Sequence, residues 1–453
     1  MLPSIATGNV ASALAGEYEV ANSVRMSNTG TTYFTRTYGT PTNNLKYTRS
    51  FWVKRSGLTD INKGFIASSV TNANTDYFYF NASDQILVGN TTSPSTTAKF
   101  RDISAWLHCV VIFDSANATA ADRTILYINN VRQTLSTTIS LNSTGGNQDG
   151  IEYQIGRQGT NTRYLDGYLA EYVFVDGQAL TPDNFGESDE DSGIWKPKDV
   201  SGLTFGNNGY YLDFEDSSAL GNDVSGNNND WTPNNLTSID QSTDTCTNNF
   251  CTLNPLNSIG TSGLDKVTMS EGNLKGLGTD DFDTAFGTMA VQNGVWYYEV
   301  EFDTTGSGYC AGWTTTDAMQ SIGASGGLSD QFAGFLNNIR IMNWGTQELA
   351  DYANVVAGDI LGLELDLDSA TKTLKCYHNG TLKATVNLPT DKGDTWIPVM
   401  GDTGTSDPTF IANFGNPIVS LSSANSDPAG YGSFEYSTGS GYSLCTKNLA
   451  EYG

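Results

Sequence analysis

Residues 169–187 read LAEYVFVDGQALTPDNFGE, and how this run is placed decides the fold. As a strict two-residue repeat, Leu169, Glu171, Val173 and Val175 share one face of a strand, and Ala170, Tyr172 and Phe174 the other. Only Glu171 interrupts the apolar pattern, so the spacing predicts a strand buried on both faces inside a layered all-β sandwich. Asp176–Gly177 then supplies a residue tolerant of positive φ, and the Pro/Asp/Asn run beyond it predicts a sharp turn.

The same punctuation extends outward. Across residues 24–185 the runs SFWVKRSG, GFIASSV, DYFYFN, QILVGN, WLHCVVIFDS, RTILYINNVRQ, IEYQIGRQ and YLAEYVFVDG are each bounded by Gly, Asn, Asp, Ser or Pro. Short strands with regular turns predict a jelly-roll sandwich, and Asn129–Asn130 a two-residue hairpin within it. Residues 186–265 change character, with GESDEDSG and LGNDVSGNNNDW and little alternation beyond GYYLDF. They read as an ordered connector of irregular structure. Strands resume in WYYEVEFD, YCAGWTT, FAGFLNN, ILGLELDLD, KTLKCYHNGTLKATVNL, TWIPVMG and FIANFG, a second sandwich with a hairpin at Asn379–Gly380.

The organisation expected is an N-terminal arm (1–22), a jelly roll (23–187), an Asn/Asp-rich connector (188–265), a second sandwich (266–418) and a Ser/Gly/Tyr-rich tail (419–453). The arm and tail are too apolar for free coil and are expected to pack on neighbouring subunits. No segment sustains helical periodicity for three turns and no heptads appear, so the chain builds no long coiled-coil shaft of its own.

Composition narrows the function. The net charge of −26, from 49 acidic against 23 basic residues, repels phosphate backbones and anionic bilayers, arguing against nucleic-acid binding and membrane docking. No apolar run approaches the ~20 residues of a membrane span. The start, MLPSIATGNVASALAGEYEV, has no basic n-region, so no secretory leader is expected and the six N-x-S/T sequons (Asn81, Asn90, Asn117, Asn142, Asn235, Asn379) read as Asn/Thr-rich loops. Cys109, Cys310 and Cys376 lie in strand-like runs. Cys246 and Cys251 in CTNNFC are the pair close in sequence, but two histidines and no second CxxC-like pair argue against zinc.

In this order, SFWVKRSG, AWLHCVVIFDSA, RTILYINNVRQ and YLDGYLAEYVFVDGQALTPDNFGE resemble a laminin-G-like, concanavalin A-type jelly roll over about 160 residues. WYYEVEF, GDILGLELDLDSATKTLKCYHNG, WIPVM and FIANFG resemble a SPRY domain, itself a concanavalin A-type sandwich. Joined by DVSGNNNDWTPNNLT and TNNFCTLNPLNS, the pair resembles virion structural proteins of tailed bacteriophages. The resemblance implies a particle-surface protein assembled in the host cytoplasm, with other virion proteins and a host-surface glycan or protein as partners. It implies a homo-oligomer, trimers being common in such appendages. A tail fibre or adhesion appendage, a purely structural capsid-decorating or head-fibre protein, and a glycan depolymerase all stand as readings.

Glycan-cleaving enzymes on this type of sandwich resemble one another in an E-x-D-x-x-E strand, and retaining hydrolysis needs two carboxyls about 5 Å apart. In LELDLDSA the acids are Glu364, Asp366 and Asp368, with Ser369 where the final Glu would fall, so the stretch reads as a strand with an acidic, solvated face. Glu299, Glu301 and Asp303 of WYYEVEFD fail the same spacing. His108, mid-strand, and His378, beside a turn, suit no obvious nucleophile–base pair. Asp213, Glu215, Asp216, Asp223, Asn227, Asn229 and Asp230 are dense enough in oxygen to suggest calcium, yet fit no EF-hand frame, and Asx-turns use the same residues. Of Tyr309, Trp313, Trp344 and Tyr352, aromatic residues able to stack on sugars, Trp313 alternates as core and Trp344 is the one expected to be exposed. The protein is expected to be no enzyme, with no catalytic residue, metal ligand or cofactor, and the sequence selects no binding face.

Overall fold

The computed structural model describes residues 18–69, 76–89, 94–159, 162–260, 263–264, 267–278, 283–303, 308–319, 330–351, 353–403 and 408–453. The protein is nearly all β, and its large sheets stack as two sandwiches. In the first, one sheet runs Gln241–Ser242, Ser23–Met26, Gly167–Asp176, Lys46–Arg55, Leu107–Asp114, Thr124–Ile128, Val131–Arg132, with Tyr210–Leu212 also paired to Gly167–Asp176. Facing it are Thr232–Asn234, Tyr33–Thr37, Glu152–Ile155, Phe65–Ser69, Tyr77–Phe80 and Ile86–Gly89. The second sandwich sets an eight-stranded sheet around Cys310–Thr315 and Trp396–Gly401 against a seven-stranded sheet around Val295–Phe302 and Ile360–Asp366.

Gly167–Asp176 is buried along its whole length, but its two faces do not alternate as the repeat predicts. Its register to Lys46–Arg55 shifts between Ala170 and Val173, and Glu171 there takes φ +50. This is a β-bulge, in which one extra residue flips every later side chain to the other face. Leu169, Tyr172 and Phe174 therefore all enter the core between the sheets, while Ala170, Val173 and Val175 face outward. That outer face meets not another sheet but chain from the 180–211 stretch: Phe185, Val200, Phe205 and Tyr211 cover Val110, Ile112, Val173 and Val175. The strand is buried between a sheet and a layer of loop.

The turn after it behaves as expected, with Gly177 at φ +88. The Asp176 carboxylate accepts from the backbone N–H groups of Thr42 (2.7 Å), Asn43 (3.2 Å) and Asn208 (3.1 Å) and from the Asn147 amide (2.5 Å). One buried acid thus staples separate loops. Asn129 and Asn130 (φ +47 and +63) and Asn379–Gly380 (φ +46 and +71) make the two hairpin turns.

The stretch 188–265 is less a linker than a shared part. It gives Tyr210–Leu212, Thr232–Asn234 and Gln241–Ser242 to the first sandwich and Leu253–Gly260 to the second. Where it crosses between them, Asp244 is fully buried: its carboxylate accepts from Lys54 Nζ (2.7 Å) and Trp106 Nε1 (3.0 Å), and Lys54 Nζ also donates to the Asn249 side chain and the Phe250 carbonyl. A hairpin tip at Glu271–Gly272–Asn273, all at positive φ, reaches from the second sandwich into the first. Arg25 pairs with Glu271 (3.4 Å), Tyr168 donates to the Gly272 carbonyl (3.1 Å) and Asn273 donates to the Ser56 carbonyl (2.7 Å). A Cβ on Gly272 would sit 2.3 Å from the Tyr168 hydroxyl, so only glycine fits.

The tail packs on its own chain. Tyr442 exchanges backbone hydrogen bonds with Val295 and Tyr297, Leu444 and Cys445 are fully buried, and Thr446 N–H donates to the Asn249 carbonyl (2.9 Å). A short helix, Thr446–Tyr452, follows, and Tyr452 stacks on Tyr442 at 3.8 Å. Residues 1–17 of the expected arm lie outside the described residues; from Tyr18 on it packs against the first sandwich.

Candidate functional site

The acidic strands are structural. Glu364 is 1% exposed and Glu299 2%; of the face expected to be solvated, Asp368 is exposed and Asp366 half-buried, but Glu364 is buried. The tail covers it. Glu364 accepts from Lys375 Nζ (2.7 Å), Tyr377 OH (3.0 Å) and Ser440 Oγ (3.2 Å). Glu299 accepts from Tyr297 OH (3.1 Å) and from the backbone N–H groups of Glu435 and Tyr436 (both 2.9 Å). Burial raises the Glu299 pKa while those donors pull it back. Asp366 caps its own turn through Asp368 N, Ser369 N and Ser369 Oγ; Asp368 accepts from Gly294 N; Asp303 pairs with Lys275 at 3.0 Å. A cavity of about 20 Å³ beside Glu299 and Glu301 has room for a water and none for a sugar. Glu299→Ala strands two backbone donors and a tyrosine hydroxyl, each costing about 1–3 kcal/mol when buried unpaired. Limited proteolysis should then cut near residues 435–436 well before the rest of the chain; an unchanged pattern would show that the acid does not hold the tail.

His108 is buried with Nε2 2.8 Å from Ser50 Oγ, which superficially resembles a nucleophile–base pair. Trp195 Nε1 can only donate, and it does so to His108 Nδ1 at 2.9 Å. In the neutral ring the proton is then on Nε2, so the histidine donates to Ser50 and cannot take its proton. Burial holds the ring neutral, with its pKa pushed down to about 3. His378 pairs with Asp359 at 3.0 Å beside its hairpin.

The oxygen-rich loop is an Asx-turn network. Asp223 accepts from the N–H groups of Tyr211, Ser225 and Asn229; Asp216 from Ser218; Asp213 from Glu215; Asp230 from Asp223 N. The amides of Asn227 and Asn229 both donate to the Gly209 carbonyl. These acids point at backbone donors, and among the described residues no three His, Cys, Asp or Glu side chains converge as a metal site would require. The six cysteines are free thiols. Tyr309 and Trp313 are core; Trp344, expected to be exposed, is half-buried edge-on to Trp396, and Tyr352 lies outside the described residues.

A different surface gathers aromatic groups, of which Tyr33, Tyr77 and Tyr79 are half-buried and Phe65 and Tyr164 buried. On the six-stranded sheet, inward Phe78 and Phe80 alternate with outward Tyr77 and Tyr79, both half-buried. Register places Phe65 opposite Tyr79, and the two rings stack at 4.4 Å with Phe65 as the buried base. At the same end, residues 157–159 and 162–165 run back antiparallel through an Arg157–Tyr164 bridge. The Arg157 guanidinium lies over Tyr33 (4.7 Å) and Tyr164 (5.5 Å), and those two rings are 6.2 Å apart. Burial raises the Tyr79 pKa, and nearby Arg163 opposes it. A row of Thr35, Gln154 and Ser68 crosses the adjoining part of the sheet, with Gln154 and Ser68 buried and Ser68 Oγ bonded to the Arg157 carbonyl. Flat rings at partial exposure beside half-buried Arg157 suit a saccharide, whose apolar C–H faces stack while its hydroxyls bond. Sequence reading missed this rim; DYFYFN signals two outward tyrosines, but only register brings Tyr33, Phe65 and Tyr164 to them.

Residues 28–184 match the concanavalin A-like lectin/glucanases superfamily. No curated protein matches the chain. Among solved structures it is similar to a candidate carbohydrate-binding protein from Bacteroides ovatus (15% identity, 48% of this chain and 59% of that one, TM-score 0.37). It is also similar to the SPRY domain of human HERC1 (12% identity, 35% of this chain and 96% of that one, TM-score 0.26). A third is the heptameric SAP-like pentraxin of Limulus polyphemus (15% identity, 36% and 80%, TM-score 0.27). The class is thus an all-β protein whose residues 28–184 form a concanavalin A-like jelly roll.

Proposed function

We propose that the protein binds glycans without cleaving them, from the surface of a bacteriophage particle, as part of a tail fibre or adhesion appendage. The observation that carries the binding reading is the half-exposed tyrosine rim at one end of the six-stranded sheet, beside Arg157. The fixed contact between the sandwiches supports it, because a rigid mount loses little entropy on binding. The non-catalytic part is supported by Glu299 and Glu364, whose carboxylates are engaged in holding the tail. The particle reading rests on the order of the sequence motifs across both halves. Weak single contacts gain strength when repeated on one particle, since each further contact is effectively intramolecular.

Screening the purified chain on an immobilised glycan panel should give saturable binding that falls at least ten-fold in Tyr33→Ala. Incubation with any bound polysaccharide should release no new reducing ends; release would establish a depolymerase instead. Antibody labelling of particles should show a few tens of copies or fewer at the tail, whereas hundreds over the head would make it a capsid-decorating protein.

A further inference from the structure

Arg163 belongs to a small group of half-buried arginines, with Arg36, Arg123 and Arg340, that meet no carboxylate among the described residues. In a chain with 49 acids and 23 Lys and Arg, most buried or half-buried basic groups meet a carboxylate: Arg25 with Asp240, Arg49 with Asp76, Lys54 with Asp244, Arg55 with Asp84, Lys63 with Asp166, Lys375 with Glu364. Arg163, half-buried, has none among the described residues; its guanidinium donates to the Gln158 side-chain carbonyl at 3.2 Å. It sits on the strip that also carries Arg157, on the rim that holds Tyr33, Tyr79 and Tyr164. Two guanidiniums beside Tyr33, Tyr79 and Tyr164 therefore form a local cationic, aromatic rim on a strongly acidic protein.

We propose that this rim takes an acidic sugar, one whose ring stacks on Tyr33 or Tyr79 and whose carboxylate is gripped by Arg163. This deepens the glycan-binding reading and rests on it. The guanidinium fork matches a carboxylate with two parallel N–H···O bonds, and a charge-assisted pair is about twice as strong as a neutral hydrogen bond. The overall charge sets the limit on the ligand. At physiological salt the field of the other acids is screened beyond roughly 8 Å, so one carboxylate beside two arginines is attracted locally. A nucleic acid, with a phosphate at every ~1.7 Å of duplex axis, extends its charges far past the rim into the acidic surface and is repelled. A sparsely charged saccharide suits the rim better.

The test is titration calorimetry of the full chain with oligogalacturonate, oligoalginate and sialyllactose, each beside a neutral counterpart (methyl-esterified oligogalacturonate, esterified alginate, lactose), and with a single-stranded oligonucleotide. At least one acidic form should bind ten-fold or more tightly than its neutral partner, with affinity falling as salt is raised. Arg163→Gln should remove that preference and leave neutral binding unchanged, while Tyr79→Ala should weaken both forms; circular dichroism checks that each variant folds. Equal binding of acidic and neutral forms, with Arg163→Gln silent, overturns the acidic-sugar proposal and spares the glycan-binding reading. No binding to any saccharide overturns both. Oligonucleotide binding at least as tight as the best sugar, lost in Arg163→Gln, assigns the rim to nucleic acid instead.

Discussion

Asp244→Ala should be the most damaging single substitution described here, costing about 3–5 kcal/mol, because it leaves the Lys54 ammonium buried without its counter-charge. Lys54 and Asp244 side chains are 2% and 0% exposed, and the same carboxylate also orients Trp106 and the Phe250 N–H. The loss falls where the two sandwiches meet, so calorimetry should show one melting transition in the parent and two in the variant. The paired replacement Lys54→Met with Asp244→Leu separates charge from packing. It removes both ions and should recover most of the lost stability, as apolar isosteres of buried ion pairs often do. A double variant as unstable as Asp244→Ala would show that the hydrogen bonds to Trp106 and Phe250, rather than the ion pair, hold the junction.

Glu171 should make stability depend on pH in the opposite sense to an ordinary paired acid. It is buried at the bulge, Tyr18 and Tyr211 both donate to its Oε2 at 2.8 Å, and Asp213 and Glu215 lie near enough to add repulsion. Burial is the largest influence, and it raises the carboxyl to about 7 from an ordinary 4.5. Between those values the folded chain keeps a proton that the unfolded chain has lost, so stability falls as pH rises from 4.5 to 7 and then levels off. The full span is about 3 kcal/mol, at 1.36 kcal/mol for each pH unit of displacement. Glu171→Gln should therefore match the parent near pH 4 and exceed it by up to that amount at pH 8 in urea titrations. A difference that stays constant with pH would mean the carboxyl ionises normally.

How much of this was legible followed the range of the interactions. The hairpins at Asn129–Asn130 and Asn379–Gly380 were readable because two residues with positive φ determine them locally. The strand-rich, jelly-roll character of the first half was readable from turn spacing. The bulge at Glu171 was not: nothing in LAEYVFVDG marks the slip, which depends on the register of Lys46–Arg55 and on hydroxyls from residues 18 and 211. Glu364 of LELDLDSA looked solvated, and the burial of Glu299 in WYYEVEF went unread, because partners of each lie 76 to 137 positions away in the tail, at Ser440, Glu435 and Tyr436. The tyrosine rim was hidden for the same reason, since its rings come from strands separated by much of the first sandwich.

The bond between Asn249 and Thr446 spans 197 positions of chain. During synthesis Asn249 emerges, and Lys54 waits for it, long before Thr446 has been translated. At ordinary elongation speeds of about 5–20 residues per second that interval is on the order of ten to forty seconds. The first sandwich can condense meanwhile, but its seam with the second half must remain open on the ribosome, a window in which chaperones would find Phe250 uncovered, because its partner Cys445 is not yet made.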